Sequence, residues 1–487
     1  MKGIILAGGR GTRLGPLAAQ ISKALVSVGS RPQVINQCFA LERAGCEDIV
    51  VVTSPETHRQ VGDVIRRAGL HNVGLAVQAT PAGPVDALLT GLNELPRDGE
   101  KGLVVLMSDT VINEEFGTED EWVGVGRTPD VARSWCFYDA NVLKYVDGIP
   151  GPDDRVTIGI YHFNDIDKVH AAASTALWAG RSRQDIEIGM APFLNAYGTR
   201  MQYFFNTWQD VGDVLALGRA RRDKFIARAH HTLTLNDDGT ITKSGVSTDE
   251  LAYMATLYGA RGRVSLFPQV YDFTDDSYTM QYVDLPSLAE LWLYWPGRPN
   301  TWAGIVQSVV DRVQRDLWTT ETTSEPELVW EFYVGKALAR IRKWDASLLT
   351  PILTDRIEKA GDIIGDDLWV NGHGDLNFNN ILYSLNTNAC TLIDPRGGIV
   401  PQSYEYAKLA YSPIFSAITH DLFAGVNHIL PYRPAEIEAV WSVLRTYISD
   451  RRLSAAVALT LLAACPMHDD RQAKAMFFVA NDMLMDL

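Results

Sequence analysis

The first hundred residues alternate between short apolar runs and longer amphipathic stretches. Gly3–Ala7, Asp48–Thr53 and Gly102–Met107 are almost continuously apolar. Such runs predict strands buried on both faces, as in a parallel sheet. Pro32–Ala44 and Pro55–Ala68 between them read as helices. Strand, helix, strand in repetition predicts an α/β fold with helices over the sheet. From 120 to 210 the pattern weakens, with strand signals at Thr157–Phe163 and Arg200–Phe205. Val214–Arg228 reads as a helix, and a domain boundary is placed after it. His231–Leu235 and Thr240–Ser244 flank Asn236-Asp237-Asp238-Gly239, a strong hairpin signal. Helical spacing dominates from about Ser287 onward, interrupted at Leu368–Asp394. The expected domains are therefore 1–228 and 229–487, the second with a small lobe over about 229–285 and a large lobe over about 286–487.

Composition adds bounds. The chain has 487 residues, enough for two or three domains of typical size. At 46% hydrophobic and 21% charged residues it can bury ordinary cores. A net charge of −15 argues against binding nucleic acid, whose backbone needs clustered Lys and Arg. Five scattered cysteines without CxxC spacing point away from zinc or a disulfide framework. No apolar run approaches the ~20 residues of a membrane span, and the opening KGIILAGG is too soon broken by glycine to resemble a signal peptide. These features predict a cytoplasmic protein without a membrane partner; a homo-oligomer is compatible with them.

The first strand runs straight into LAGGRGTRL. Gly8, Gly9 and Gly11 permit close backbone approach to an anion, and a following helix start would add N–H donors. The loop lacks the Gly-Lys-Ser/Thr of a P-loop and is not GxGxxG. Arg13 and Lys23 beside it suit a triphosphate whose leaving pyrophosphate needs charge compensation. Asp109 ends an apolar strand, where α/β folds place ligands, and with Asp210 it offers a carboxylate pair for Mg²⁺. LAGGRGTRLGPL, ISKALVSVGSRPQVIN, QATPAGPVDALLTGL, VVLMSDT and TWQDVGDVLALGRA, in that order, resemble the sugar-nucleotidyltransferase family, in particular the branch of glucose-1-phosphate thymidylyltransferases. The resemblance covers about residues 1–225. It implies a Rossmann-like mixed sheet, Gln78 and Gly83 at the nucleobase, Asp109 and Asp210 on metal, and Arg13 and Lys23 on the phosphates. The family's Glu-Lys-Pro is missing near Leu143–Gly148, where Lys144 stands as a substitute. Glu187 resembles the family's sugar-contacting glutamate, without the Thr-Asp that follows it there.

A second constellation lies in NGHGDLNFNNILYSLNTNACTLIDPRG. Asp375, Asn380 and Asp394 have the order and spacing of a phosphoryl-transfer site: one aspartate for the substrate hydroxyl, then Asn and Asp for metal. The segment resembles the aminoglycoside phosphotransferase and choline kinase families, which implies a protein-kinase-like α+β fold. TLTLNDDGTITKSG resembles the first hairpin of such a kinase, with Lys243 on the ATP phosphates, and MQYVDLPSLAEL resembles the hinge that holds adenine. A kinase helix also offers a glutamate to this lysine. Met254 stands at the expected position, with Glu250 one turn earlier as the alternative. PQSYEYAKLAYSP reads as an eroded form of the family's acidic segment.

Together these readings predict a bifunctional enzyme. The C-terminal half phosphorylates a hydroxylated sugar or amino alcohol with ATP, and the N-terminal half transfers a nucleoside monophosphate from a pyrimidine NTP to the product. Mg²⁺ is expected at both sites. The alternative is a lone nucleotidyltransferase whose kinase-like half only binds or regulates.

Overall fold

A computed structural model describes the chain except residues 15–16, 18–20, 29–30, 81, 97–98, 128–132, 152, 183–186, 225–231, 237, 260–265, 296, 319–320, 420–432 and 469. The chain forms two compact units, Met1–Phe225 and Ile226–Leu487. The expected boundary after residue 228 lies outside the described residues.

The first unit is built on a nine-stranded mixed sheet. Val73–Val77, Asp48–Thr53, Lys2–Ala7 and Leu103–Met107 lie side by side and run parallel. Val156–Phe163 then joins Leu103–Met107 antiparallel, followed by Trp135–Asp139 and Lys144–Gly148. Trp122–Gly126 also pairs with Val156–Phe163 and carries Gln202–Phe204 at its other side. The first four strands are thus all parallel, whereas the other half is mainly antiparallel, with Gln202–Phe204 running parallel to Trp122–Gly126. Ile4, Ile5, Val51, Val52 and Leu103 through Leu106 are fully buried, which is why these strands show no polar alternation. Helices Gln33–Arg43, Pro55–Arg67 and Pro84–Glu94 pack on this half. Trp135–Asp139 carries no sequence signal because its residues are half-buried throughout and show no period of two. A short ladder, Thr110–Ile112 against Trp208–Asp210, extends past the sheet and pairs Thr110 with Asp210.

The second unit opens with a four-stranded antiparallel sheet in the order Thr232–Leu235, Thr240–Ser244, Ser277–Gln281, Val270–Phe273. The expected hairpin closes with Gly239 at φ 81°, a conformation glycine adopts without strain. Helix Thr248–Gly259 follows it. Ser287 then starts Leu288–Tyr294 with a capping box to Glu290. The helical remainder is organised around Asp450–Ala464, in which every residue from Ala455 to Ala464 is buried. A helix apolar on all sides belongs at the centre of a bundle. Two small sheets interrupt it: Glu321–Ser324, Asp367–Asn371 and Ile399–Pro401 form one, and Ile381–Tyr383 with Cys390–Leu392 the other. Among the described residues, no helix is long and apolar enough to cross a membrane.

Candidate active sites

In the first unit, the glycine loop leaves the end of the central strand. A Cβ on Gly8 would lie 2.7 Å from Gln78 Oε1, so a larger residue there would displace the end of that side chain. Gly11 takes φ 62° and turns the chain into the 3₁₀ segment Thr12–Leu14, not into the α-helix start expected there. Arg13 on that segment sends its guanidinium toward Gly212, beside Asp210. Lys23 Nζ donates to Asp109 Oδ2 at 2.6 Å. The Val211 N–H donates to the Asp109 carbonyl at 2.9 Å, so the short ladder brings Asp109 and Asp210 together from opposite ends of the unit's sequence.

The two carboxylates are held in unequal states. Burial pushes Asp109 upward, but the charge and hydrogen bond of Lys23, with Arg13 behind, outweigh it and leave the carboxyl below its ordinary value. Asp210 is pushed up by burial and then by the charge on Asp109. Arg133 counters this: its guanidinium donates to Asp210 Oδ2 at 2.5 Å and stacks 4.5 Å from the Trp135 ring. Two half-buried carboxylates that repel one another are an environment a divalent cation relieves. No group of three or more potential ligands occurs among the described residues. A pair of carboxylates suits Mg²⁺, which takes one or two carboxylates and completes its shell with phosphate oxygens and water.

Gln78 is buried, and its Nε2 donates to the Gly83 carbonyl (3.1 Å) and Asp86 Oδ2 (2.9 Å). Gly83 has φ 92°, and a Cβ there would meet the Ile188 backbone N at 2.5 Å. Glycine is required by this packing and this conformation. Glu187 is exposed, although its neighbour Ile188 donates to the Ala82 carbonyl and so closes the same wall. Lys144 is exposed at the start of its strand. Neither Lys144 nor Glu187 is joined to the carboxylate pair by a hydrogen bond or ion pair among the described residues.

In the second unit, Lys243 is buried, and its Nζ lies 2.5 Å from both Glu250 Oε1 and Asp394 Oδ1. Tyr278 Oη also donates to Glu250, at 3.0 Å. Helix Thr248–Gly259 thus offers Glu250 to the lysine, while Met254 is buried as packing. Asp394 takes φ 54°, a left-handed conformation that costs energy in a non-glycine residue and recurs at functional sites. Asn380 Nδ2 donates to the Asp375 carbonyl (2.8 Å) and to Asp375 Oδ2 (3.2 Å). His373 ties the two segments together, with Nε2 2.9 Å from the Ile393 carbonyl. Burial pushes His373 down to about 4, so the ring is neutral near pH 7. Asp375, Asn380, Asp394 and Lys243 therefore meet around one loop and one strand.

Residues 2–119 match the nucleotidyl transferase family. Mannose-1-phosphate guanyltransferase of Pichia angusta is 36% identical over 113 residues, 23% of this chain and 31% of that protein. Glucose-1-phosphate thymidylyltransferase of Mycobacterium tuberculosis is 36% identical over 118 residues, 23% of this chain and 38% of that protein. The N-terminal region is a nucleotidyl transferase domain of the sugar-nucleotidyltransferase type. The chain spans about a third of the length of these curated relatives. Among solved structures, a UDP-glucose pyrophosphorylase complexed with UDP-glucose matches with TM-score 0.38 at 18% identity, covering 46% of this chain and 98% of that one.

Sequence reasoning passed over three residues. Arg133 of the first unit sits in a polar stretch with no period or motif to mark it. Glu405 and Lys408, in the second unit, lie in the segment read as eroded. The fully buried Glu405 accepts the N–H groups of His373 (2.8 Å) and Gly374 (2.9 Å), and Lys408 Nζ donates to Asp375 Oδ1 at 2.8 Å. Their i, i+3 spacing in YEYAKL puts both on one helix face and was the available signal.

Proposed function

We propose that the N-terminal unit transfers a nucleoside monophosphate from an NTP to a sugar phosphate or a related phosphometabolite. The convergence of Lys23, Arg13 and Arg133 on the pair Asp109 and Asp210 carries this reading. An oxygen of the acceptor phosphate attacks the α-phosphorus in line. The bond from that phosphorus to the bridging oxygen breaks, and pyrophosphate leaves. Lys23 and Arg13 compensate charge on the leaving pyrophosphate, and Arg133, beside the carboxylate pair, and Lys144 are the cations proposed for the acceptor phosphate. Asp109 and Asp210 would hold Mg²⁺, which when bound neutralises phosphate oxygens. Gln78 has committed its Nε2 donors to Gly83 and Asp86, so its Oε1 is the group offered to a base. An acceptor oxygen suits the ring N–H of uracil or thymine, which favours UTP or dTTP.

The second unit acts, in this proposal, as an ATP-dependent kinase that makes the phosphometabolite. The ion pairs of Lys243 and the loop bearing Asp375 and Asn380 support it. The ion pair of Glu250 with Lys243 supports an active kinase over the degenerate one that Met254 suggested. Asn380 and Asp394 would hold Mg²⁺ there.

The test is pyrophosphate release across NTPs and sugar phosphates. Wild type should turn over UTP or dTTP with the higher kcat/KM, and Asp109→Asn should lose roughly 10²–10³-fold or more while remaining folded. Near-normal release by Asp109→Asn would remove the pair from the chemistry, and higher kcat/KM with GTP or ATP would overturn the base assignment.

A further inference from the structure

Two lysines flank one aromatic ring beside Asp375. Lys408 Nζ, besides its 2.8 Å bond to Asp375, lies 5.2 Å from the Tyr404 ring and 5.3 Å from the Tyr411 ring. Lys336 Nζ lies 5.4 Å from the same Tyr404 ring and 4.8 Å from that of Phe332. The two ammonium groups come from separate elements. Lys408 belongs to helix Gln402–Thr419, and Lys336 begins helix Lys336–Asp345 directly after the π-helical turn Glu331–Gly335. Such turns are rare and frequently mark functional sites. Arg340, one turn beyond Lys336, spends a donor on the Ala463 carbonyl at 2.7 Å. Among the described residues, neither Lys336 nor Arg340 has a carboxylate within ion-pair distance, and Asp375 is already engaged by Lys408.

We infer that the acceptor phosphorylated at Asp375 is a hydroxylated metabolite that carries an anionic group, a carboxylate or a phosphate, which Lys336 binds. This rests on the kinase reading of the second unit. Three aromatic rings near a catalytic aspartate could otherwise cage a quaternary ammonium, as choline-type acceptors require. Here the protein's own lysines stand over those rings, so a cationic acceptor meets like charge, whose cost grows as water is excluded. Burial first, then the charges of Arg340 and Lys408, push Lys336 down to about 8, opposed only in part by the negative charge of Asp375, so further negative charge would stabilise the ammonium. An incoming anion supplies that charge. In the reaction the acceptor hydroxyl oxygen attacks the γ-phosphorus of ATP and the bond to ADP breaks. The hydroxyl proton passes by way of Asp375 to solvent, giving phosphorylated acceptor, ADP and a proton.

The experiment measures ADP formation by the full chain with ATP and Mg²⁺ over matched acceptors: glycerate, glycerol 3-phosphate, glycerol and choline. The two anionic acceptors distinguish carboxylate from phosphate recognition. At least one should exceed glycerol and choline in kcat/KM by about tenfold or more. Lys336→Met should raise KM for that acceptor roughly 10- to 100-fold with KM for ATP unchanged, and Lys336→Arg should restore part of it. A preference for glycerol or choline, or an unchanged acceptor KM in Lys336→Met, overturns this inference and leaves the kinase reading standing. No phosphoryl transfer to any acceptor removes both.

Discussion

At the scale of single residues, Arg133 and Glu250 do work that their neighbours in sequence do not announce. Arg133 opposes two effects on Asp210, burial first and then the charge of Asp109, both of which favour the protonated acid. Without the guanidinium, Asp210 stays protonated to higher pH, and a protonated carboxyl is a poor Mg²⁺ ligand. Arg133→Met should therefore move the acid limb of the nucleotidyl-transfer pH profile upward and raise the Mg²⁺ concentration needed for half-maximal rate. An acid limb that does not move would separate Arg133 from the carboxylate pair. Glu250 pairs with Lys243, the cation proposed for the ATP phosphates. Glu250→Gln should cut phosphoryl transfer by roughly 10²–10³-fold, whereas Met254→Leu, a swap of similar volume in a packed site, should leave it near wild type. Equal losses in both variants would show that the helix matters for packing alone.

At the scale of elements, the contact between helix Gln402–Thr419 and the loop after Asp367–Asn371 holds the second site in shape. The Glu405 carboxylate takes two backbone N–H groups there, and replacing it leaves at least one buried donor unsatisfied. Glu405→Gln should cost about 1–3 kcal/mol. Its pH signature is specific. Burial pushes Glu405 up to about 7, against the pull of those N–H groups. The folded chain keeps a proton that the unfolded chain releases above about 4.5, so this contribution is present at low pH and lost as pH rises to about 7. His373, pushed down to about 4, contributes the opposite way: its share is full above about 6.5 and lost as pH falls to about 4. Between these limits the two slopes, each up to about 1.4 kcal/mol per pH unit, oppose one another. In Glu405→Gln only the His373 slope remains, so the unfolding temperature of that variant should climb between pH 4.5 and 6.5 more steeply than that of wild type. Parallel profiles would refute the pairing.

At the scale of the whole molecule, two units carry two self-contained sets of chemical groups. The first proposed reaction uses a phosphate oxygen as nucleophile and needs no base; the second uses a hydroxyl and needs Asp375. Asp375→Ala should eliminate phosphorylation and leave nucleotidyl transfer from a supplied phosphometabolite within about twofold of wild type, since the two proposed sites share no residue. Lys23→Ala should do the converse. Loss of both activities in both folded variants would replace the two-site scheme with a composite one. In the proposed scheme the phosphometabolite is made on the same chain as the nucleotidyl-transfer site that uses it, and such linkage raises effective concentration.

The sequence by itself determined what short-range pattern can encode. It marked the parallel strands, through apolar runs such as Asp48–Thr53 that are buried on both faces. It marked the hairpin at Asn236–Gly239, through turn chemistry. It marked the residues Asp109, Asp210, Asp375, Asn380 and Asp394, because their spacing resembles known families. Only the tertiary structure decided which charges meet. Arg133 reaches Asp210 across 77 positions, and Lys243 reaches Asp394 across 151. It also assigned Glu250 rather than Met254 to Lys243, and showed that Gly83 is fixed by the Ile188 backbone. Spacing along a strand or helix repeats every two or about four residues and is readable locally. An ion pair between distant segments depends on how sheets and helices pack, and that leaves no period in the sequence.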